Sequence, residues 1–195
     1  MTPAADTVLD RLQARDAAQR AAGLPPSQRT RNVTRETGRF LNLVARTMGA
    51  RAMLEIGSSN GLSTIWLALA AQAQGGTVIG TELIPERAAE ANAHLAEAGL
   101  GDSARVIAGD ARATLATLDG SFDLVFLDAE KDDYVAHFHT VFPLVRAGGL
   151  ILADNVVSHD CTAYQAMLRA RADVATITLP FERGIEYTLK LGDGG

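Results

Sequence analysis

The spacing of apolar residues changes near residue 51, and this change separates two kinds of predicted structure. Before it, apolar positions recur at helical intervals, which predicts one helix over residues 3–22 and a second from about Thr34 to Met48. Pro25-Pro26 ends the first helix, because proline cannot continue one. We expect residues 1–50 to form an N-terminal helical cap.

Beyond residue 51, short apolar runs alternate with amphipathic stretches, a pattern typical of a parallel sheet covered by helices on both sides. The last two runs are separated by only a few residues around Arg183-Gly184, which predicts an antiparallel hairpin at one edge. The predicted fold class is therefore α/β, a doubly wound, Rossmann-like, seven-stranded and mostly parallel sheet with an antiparallel C-terminal hairpin. We expect this core over residues 51–195, within a single domain of residues 1–195. The predicted strands are Ala52–Ile56, Thr77–Thr81, Ala104–Ala108, Phe122–Leu127, Gly149–Ala153, Val174–Leu179 and Ile185–Leu191, and the helices between the first five cover residues 62–73, 85–98, 111–118 and 132–146, with one more helix after residue 162.

The composition narrows the class of protein without identifying an activity. Hydrophobic residues make up 47% and charged residues 21%, as in ordinary globular proteins, and a net charge of -5 gives no basic field that would attract nucleic acid. The sequence has neither a signal-peptide pattern nor an apolar run near the roughly 18 residues that cross a bilayer. We therefore expect a cytoplasmic protein that binds neither membrane nor nucleic acid. The single cysteine, Cys161, excludes a cysteine-based zinc cluster and is interpreted as a thiol without a role.

Polar residues follow the ends of the first three predicted strands, where an open α/β sheet binds its ligands. Gly57 and Gly61 permit a sharp turn and the close approach of a ligand, and Glu82 can accept hydrogen bonds from both hydroxyls of a ribose. The turn lacks the middle glycine of a dinucleotide motif, which disfavours an NAD-dependent oxidoreductase. These signals predict a nucleoside ligand, with a tight turn and acidic helix caps as the alternative reading. The candidate cofactor-binding residues are Glu55, Gly57, Ser58, Ser59, Asn60, Gly61, Ser63, Glu82, Leu83, Gly109, Asp110, Ala111 and Asp128.

A second set of polar residues follows the fourth and fifth predicted strands. Asp128 ends the fourth and Asp154-Asn155 ends the fifth, so three oxygen-bearing side chains are expected at one rim of the sheet. Two carboxylates and an amide suit a hard divalent cation, Mg²⁺ or Mn²⁺. The alternative is that these acids only cap the helices that follow. The predicted metal ligands are Asp128, Asp154 and Asn155.

With these motifs the chain resembles the class I methyltransferases that use S-adenosylmethionine (SAM), and specifically the cation-dependent O-methyltransferases of the caffeoyl-CoA and catechol type. The resemblance runs from about Glu36 to Lys190, and its specific part is Leu127-Asp128-Ala129-Glu130-Lys131-Asp132-Asp133-Tyr134 followed by Asp154-Asn155. It implies SAM as methyl donor, a divalent cation, a catalytic role for Asp128 and Lys131 as general base. It also implies a small hydroxylated acceptor, catechol-like or another hydroxy-aromatic, and a homodimer.

The acceptor side departs from the family pattern. Residues 156–161 run almost directly into a helix, and Glu182-Arg183-Gly184 stands where relatives have a Gly-Asp-Gly turn, so the acceptor is not carried over. His159 borders the expected acceptor pocket, whereas Tyr134 is expected to pack. Two alternatives stay open. One is a metal-independent N- or O-methyltransferase, and the other is a non-catalytic module that binds SAM.

Overall fold

The computed structural model of the protein describes residues 2–118 and 120–192. Seven strands alternate with helices over most of this length, and three short 3₁₀ helices cover Pro26–Gln28, Lys131–Asp133 and Phe142–Leu144. In chain order the elements are α1 (Pro3–Ala21), α2 (Arg35–Thr47), β1 (Ala52–Ile56), α3 (Leu62–Gln74), β2 (Thr77–Glu82), α4 (Pro85–Glu97), β3 (Ala104–Ala108), α5 (Ala111–Leu115), β4 (Phe122–Leu127), α6 (Tyr134–Val141), β5 (Val145–Asp154), α7 (Thr162–Arg169), β6 (Val174–Leu179) and β7 (Ile185–Lys190).

The seven strands form one sheet in the order β3-β2-β1-β4-β5-β7-β6. The first five strands run parallel, and β7 is antiparallel to both of its neighbours. The chain leaves β1 toward one edge of the sheet and β4 toward the other, so the switch point of the topology lies between these two strands. In such sheets ligands bind beyond the carboxyl ends of the strands at the switch point, which is where Gly57 and Asp128 meet.

Alternating side chains of the strands feed two separate hydrophobic cores. On β1, Met53 belongs to the core shared with α1 to α4, whereas Leu54 and Ile56 belong to the core shared with α5 to α7. This alternation is the two-residue period of a strand with both faces covered.

The N-terminal helices pack on the first of these cores rather than standing apart from it. Leu9, Leu12 and Leu41 are almost completely buried. Gly38 lies directly against the Trp66 indole of α3, and a Cβ at this position would be 2.2 Å from Trp66 Nε1. Asn42 reinforces the contact by donating from Nδ2 to the carbonyl oxygen of Trp66 at 2.9 Å. The cap is therefore continuous with the core that supports the glycine turn.

The structure confirms the predicted order of elements and corrects two of their bounds. The predicted helix over residues 132–146 is wrong in its second half, because α6 ends at Val141 and β5 begins at Val145. Pro143, within the intervening 3₁₀ helix, cannot donate the backbone hydrogen bond that would continue the helix. The predicted helix over 111–118 ends early, at Leu115. Within the described ranges, no helix is long and apolar enough to cross a membrane.

Candidate active site

The turn after β1, residues 57–61, is shaped by residues with positive φ. Gly57 and Gly61 have φ of +92° and +86°, and Ser59 has +48°. At Gly57 the space is also closed, because a Cβ there would lie 2.4 Å from the carbonyl oxygen of Asp128. We call residues 57–61 the glycine turn. Its first residue lies against the backbone that carries the predicted metal ligand, so the two halves of the site touch.

Glu55 supports the glycine turn from inside the protein. Its side chain is fully buried, and it accepts hydrogen bonds from Ser58 Oγ at 2.7 Å and from the Thr64 hydroxyl. Burial raises the pKa of this carboxyl above its ordinary value, against the opposing effect of the surrounding hydroxyls. The structure therefore places the Glu55 carboxylate beneath the turn. Its assignment as a cofactor-binding residue stays a prediction.

The raised pKa of Glu55 predicts a pH-dependent stability. As the pH rises above the ordinary glutamate pKa of about 4.3, the unfolded state releases this proton first, so the free energy of unfolding decreases. Wild type should therefore lose stability relative to Glu55→Gln as the pH increases toward neutrality. Melting temperatures of both proteins across this range measure the difference.

Glu97 offers a control of opposite sign for this measurement. The Arg11 guanidinium, 2.6 Å away, lowers the pKa of this exposed carboxyl, so its contribution to stability is lost as the pH falls. Wild type should therefore gain melting temperature relative to Glu97→Gln as the pH rises, which is the opposite of the expectation for Glu55→Gln. A difference between wild type and Glu55→Gln that is independent of pH would contradict the assignment for Glu55.

Glu82 at the end of β2 is held by backbone donors on both oxygens. Ser59 N donates to Oε2 at 2.8 Å and Ile84 N donates to Oε1 at 2.9 Å, and the side chain is only 7% exposed. This carboxylate is fixed beside the glycine turn, where the sequence predicted it. Leu83 follows with 68% exposure and presents an apolar surface beside it.

Asp110 caps a helix, which is the alternative to cofactor binding that the sequence left open. Its Oδ1 accepts a hydrogen bond from Ala113 N at 3.1 Å, which makes it the N-cap of α5. Gly109 precedes it with a φ of +131°, and its N–H donates to the carbonyl oxygen of Glu82 at 2.9 Å. Residues 109–111 therefore lie next to the end of β2. A contact with adenine stays a prediction.

Asp128 and Asp154 lie at adjacent strand ends, since Leu127 and Ala153 are paired in the register of β4 and β5. The Asp128 side chain is 16% exposed and Asp154 is 4% exposed. Burial, followed by the negative charge of Asp128, raises the pKa of Asp154 to about 7. Burial also raises the pKa of Asp128, although Lys131 opposes this effect. The two acids therefore form a like-charged pair whose shared negative charge is only partly compensated.

Asn155 follows Asp154 in a left-handed conformation with φ of +65° and is 8% exposed. In the described parts of the chain, no group of three or more His, Cys, Asp or Glu side chains is placed to hold a metal ion. The predicted set differs from such a group because its third donor is the Asn155 amide. Its role as a ligand stays a prediction.

Lys131 lies beside this acid pair with three hydrogen-bond partners. Its Nζ is 3.0 Å from Asp128 Oδ1, 3.0 Å from the carbonyl oxygen of Ala129 and 2.8 Å from the hydroxyl of Tyr134. The amine is thus positioned by a carboxylate, a backbone carbonyl and a phenol. Its location agrees with the role that the resemblance implies.

Tyr134 contributes more to the site than the expected packing. The ring is fully buried, and the hydroxyl lies 2.9 Å from the carbonyl oxygens of both Leu127 and Asp154. By donating between these two oxygens it ties together the ends of β4 and β5. A tyrosine three residues after the lysine was visible in the sequence, but no pattern indicated which groups its hydroxyl would reach.

The segment before α2 closes the site and carries no motif that sequence reasoning could have used. We call residues 30–33 the strap. Ser59 Oγ donates to the carbonyl oxygen of Thr30 at 3.0 Å, and Arg31 Nη2 lies 2.6 Å from Glu130 Oε1. Residues of the strap and the glycine turn line one small cavity together with Asp128.

His159 lies outside this cavity wall, on the segment that follows Asn155. It is exposed, and its Nδ1 is 3.0 Å from Ser158 Oγ. The backbone N–H groups of Val157 and Ser158 both donate to the carbonyl oxygen of Arg183, at 3.0 and 3.1 Å. The short segment after Asn155 and the turn between β6 and β7 are therefore joined. Both belong to the part of the sequence that departs from the resemblance.

Comparison with known proteins decides the family. A family model described as O-methyltransferase matches residues 9–179, well over half of the chain. The chain belongs to the O-methyltransferase family. The matched part of the chain includes the strap, the glycine turn and the strand ends that carry Asp128 and Asp154.

Individual relatives of the chain agree with that assignment. A catechol O-methyltransferase from Mycobacterium tuberculosis is 44% identical over 126 residues, which are 64% of this chain and 57% of that protein. The chain thus spans less than two thirds of that relative's length. The solved structure of the O-methyltransferase TomG from Streptomyces achromogenes, involved in tomaymycin synthesis and in complex with SAM, is 31% identical with a TM-score of 0.80, over 93% of this chain and 89% of that one. An O-methyltransferase from Bacillus cereus in complex with S-adenosylhomocysteine (SAH) is 28% identical with a TM-score of 0.81, over 94% of this chain and 90% of that one. These likenesses confirm the predicted fold class and the predicted family.

Proposed function

We propose that this chain transfers a methyl group from SAM to a hydroxyl of a small acceptor, with a divalent cation at Asp128, Asp154 and Asn155. The observation that carries the proposal is the contact between Gly57 and the Asp128 backbone, which joins the glycine turn to the acid pair. The SAM and SAH complexes of TomG and of the Bacillus cereus protein support the choice of cofactor.

The donor set fits a hard divalent cation. Burial, followed by the negative charge of Asp128, raises the pKa of Asp154 to about 7, and a bound cation would favour the ionised forms of both acids. Asn155 adds a neutral oxygen donor of the kind that Mg²⁺ and Mn²⁺ accept. When bound, the cation would supply Lewis acidity toward the acceptor oxygens, and SAM would supply an electrophilic methyl group.

The remaining steps belong to side chains of the protein. Lys131 Nζ, which lies 3.0 Å from Asp128 Oδ1, would take the proton of the acceptor hydroxyl when the amine is unprotonated and has given up one of its three donated hydrogen bonds. The Tyr134 hydroxyl, 2.8 Å from this amine, fixes its position relative to both strand ends. Glu82 and the glycine turn would hold the nucleoside and amino-acid ends of SAM, so that methyl group and acceptor oxygen are in line.

A hydroxy-aromatic acceptor is the class that we propose, in agreement with the name of the Mycobacterium tuberculosis relative, catechol O-methyltransferase. A vicinal pair of hydroxyls would offer two oxygens to one cation at the rim. A single domain, a homodimer and a cytoplasmic location stay predictions from the sequence and its resemblance.

Two measurements on the wild-type protein test the proposal. Saturating SAH should raise the melting temperature, since a ligand at about 100 times its Kd stabilises the native state by about 2.7 kcal/mol. NAD serves as the matched control and should have no effect. Incubation with SAM, Mg²⁺ and a pool of hydroxy-aromatics should yield methylated products and SAH in equal amounts by mass spectrometry.

The outcomes separate the alternatives. Stabilisation by SAH without turnover of any member of the pool would favour a non-catalytic SAM-binding module. Turnover that is unaffected by a chelator would favour the metal-independent methyltransferase. Stabilisation by neither SAM nor SAH would contradict the proposal as a whole.

A further inference from the structure

The strap is fastened to α1, at a distance from every residue proposed for chemistry. Asp16 of α1 is 6% exposed, and its Oδ1 accepts from Thr30 Oγ1 at 3.1 Å and from Asn32 N at 3.3 Å. The other oxygen accepts from Arg20 Nε at 2.6 Å. One buried carboxylate therefore holds the two residues that flank Arg31.

Additional contacts place the strap against the same helix. Thr30 N donates to Gln19 Oε1 at 2.9 Å, Asn32 Nδ2 donates to the carbonyl oxygen of Leu12 at 3.0 Å, and Gln13 Nε2 donates to the carbonyl oxygen of Val33 at 2.9 Å. These bonds surround the Asp16 contacts on both sides. The strap therefore has one defined position relative to α1.

Arg31, between the two anchored residues, has a positive φ of +52°. A side chain other than glycine adopts this conformation at a cost, and it persists where the surrounding structure enforces it. Asp16 holds Thr30 and Asn32 in place by hydrogen bonds, which explains why Arg31 between them keeps its strained conformation. In this conformation the Arg31 side chain reaches Glu130, two residues after Asp128.

The strap reaches the proposed cofactor site through a continuous chain of hydrogen bonds. Asp16 binds the Thr30 hydroxyl, the Thr30 carbonyl oxygen accepts from Ser59 Oγ, and Ser59 N donates to Glu82. Residues of the strap and of the glycine turn line the same small cavity. A ligand bound at the glycine turn would therefore lie against the strap.

We propose that Asp16 is a positioning residue for the methyl donor: it holds the strap over the glycine turn and thereby retains the amino-acid end of SAM. The inference rests on the proposed function, because it assumes that this end of SAM lies at the glycine turn. Asp16 itself would not touch the cofactor. Its loss would leave the strap more often open and would increase the rate at which SAM and SAH dissociate.

The experiment compares Asp16→Asn and Thr30→Val with wild type. Thr30→Val removes the hydroxyl that donates to Asp16. Asp16→Asn removes the charge and one of the two acceptor oxygens, so the side chain can no longer accept from the strap and from Arg20 together. Both variants leave the acid pair untouched. We expect the Kd for SAH by calorimetry and the KM for SAM to rise about tenfold, which corresponds to losing about 1.4 kcal/mol. The kcat and the KM for the acceptor should stay within about twofold of wild type. The rise in Kd for the double variant should be smaller than the product of the two single effects, since the two residues share one of their interactions.

Glu97→Gln is the matched control. It removes the Arg11–Glu97 ion pair that joins α1 to α4 without contacting the strap, so the Kd for SAH should not change. Hydrogen exchange at the amides of Thr30 and Asn32 gives a readout that needs no ligand, and it should be faster in Asp16→Asn than in wild type. If Asp16→Asn fails to fold, Thr30→Val carries the same expectation.

The results distinguish this inference from the proposed function. Wild type that binds SAH together with variants of unchanged Kd would overturn the role of Asp16 and leave the proposed function intact. Wild type that binds neither SAM nor SAH would overturn both. A fall in kcat at unchanged KM for SAM would also contradict a positioning role toward the methyl donor.

Discussion

Replacing Asp128 by asparagine is expected to reduce kcat about 1,000-fold, because the metal's contribution to transition-state charge stabilisation amounts to several kcal/mol and each 1.36 kcal/mol is a factor of ten. The carboxylate is the partner of Lys131 at 3.0 Å and one half of the pair with Asp154. Its loss would weaken the proposed cation site and release the lysine at the same time. Initial rates at saturating SAM and acceptor, over a series of Mg²⁺ concentrations, measure the effect.

A chelator separates the contribution of Asp128 to cation binding from its contact with Lys131. Excess EDTA should abolish turnover by wild type, and added Mg²⁺ should restore it, whereas the kcat of Asp128→Asn should stay about 1,000-fold below that of wild type at every Mg²⁺ concentration. Calorimetry should detect Mg²⁺ binding to wild type and much weaker binding to the variant.

Asp123 provides a matched control on the same strand. It lies at the opposite end of β4, is 17% exposed compared with 16% for Asp128, and accepts from Arg146 Nε at 2.6 Å. Asp123→Asn should therefore lower stability without changing the turnover of folded enzyme. Full activity of wild type in EDTA, or an equal loss of turnover in both variants, would refute the role of Asp128.

Gly57→Ala is expected to disrupt SAM binding and to destabilise the fold. The added Cβ would lie 2.4 Å from the carbonyl oxygen of Asp128 and 3.1 Å from Ala129 N, at a φ of +92°. Both contacts are with backbone, so either the glycine turn or the end of β4 must move. We expect a loss of roughly 2–4 kcal/mol, comparable to other cases of steric and backbone strain. For a chain of this size, this corresponds to a melting temperature lower by roughly 5–15 °C.

Gly99→Ala separates the effect of backbone strain from the effect of the steric clash that a Cβ would cause at Gly57. Gly99 also has a positive φ, +72°, but a Cβ there would have nothing within 4 Å. Its substitution should cost about 1 kcal/mol and leave SAH binding unchanged. Differential scanning calorimetry and titration with SAH compare the two variants. Equal losses in both, or normal SAH affinity of Gly57→Ala, would show that the contact between Gly57 and Asp128 is unimportant.

The residues of the candidate site whose position in the fold the sequence predicted are those determined locally. A clear apolar pattern marks each of the strands that end at or just before Gly57, Glu82, Asp128 and Asp154. The topology of a parallel sheet brings such strand ends to one rim. Their location could therefore be inferred without knowing any side-chain contact. The family motif added the role of Lys131, which periodicity could not supply.

The parts that were missed depend on contacts between distant positions. Asp16 and Thr30 are 14 residues apart, and Thr30 and Ser59 are 29 apart, so no periodic pattern relates them. The error over residues 132–146 has a local cause instead. Phe138, Val141 and Leu144 continue a helical spacing, and that pattern outweighed the proline at 143, which ends the α-helix in the structure.

The buried Tyr134 hydroxyl has a consequence for how proteins of this kind diversify. The hydroxyl contacts backbone carbonyl oxygens at the ends of both β4 and β5. It therefore helps to fix the distance between the strand ends that carry Asp128 and Asp154. The segment after Asn155 and the turn at Glu182-Arg183-Gly184 bind each other and make no hydrogen bond to the Tyr134 hydroxyl. Loops around the proposed acceptor site can therefore differ in length and charge while the ends of β4 and β5 keep their spacing. On the proposed function, such changes would alter the choice of acceptor without altering the groups that carry the chemistry.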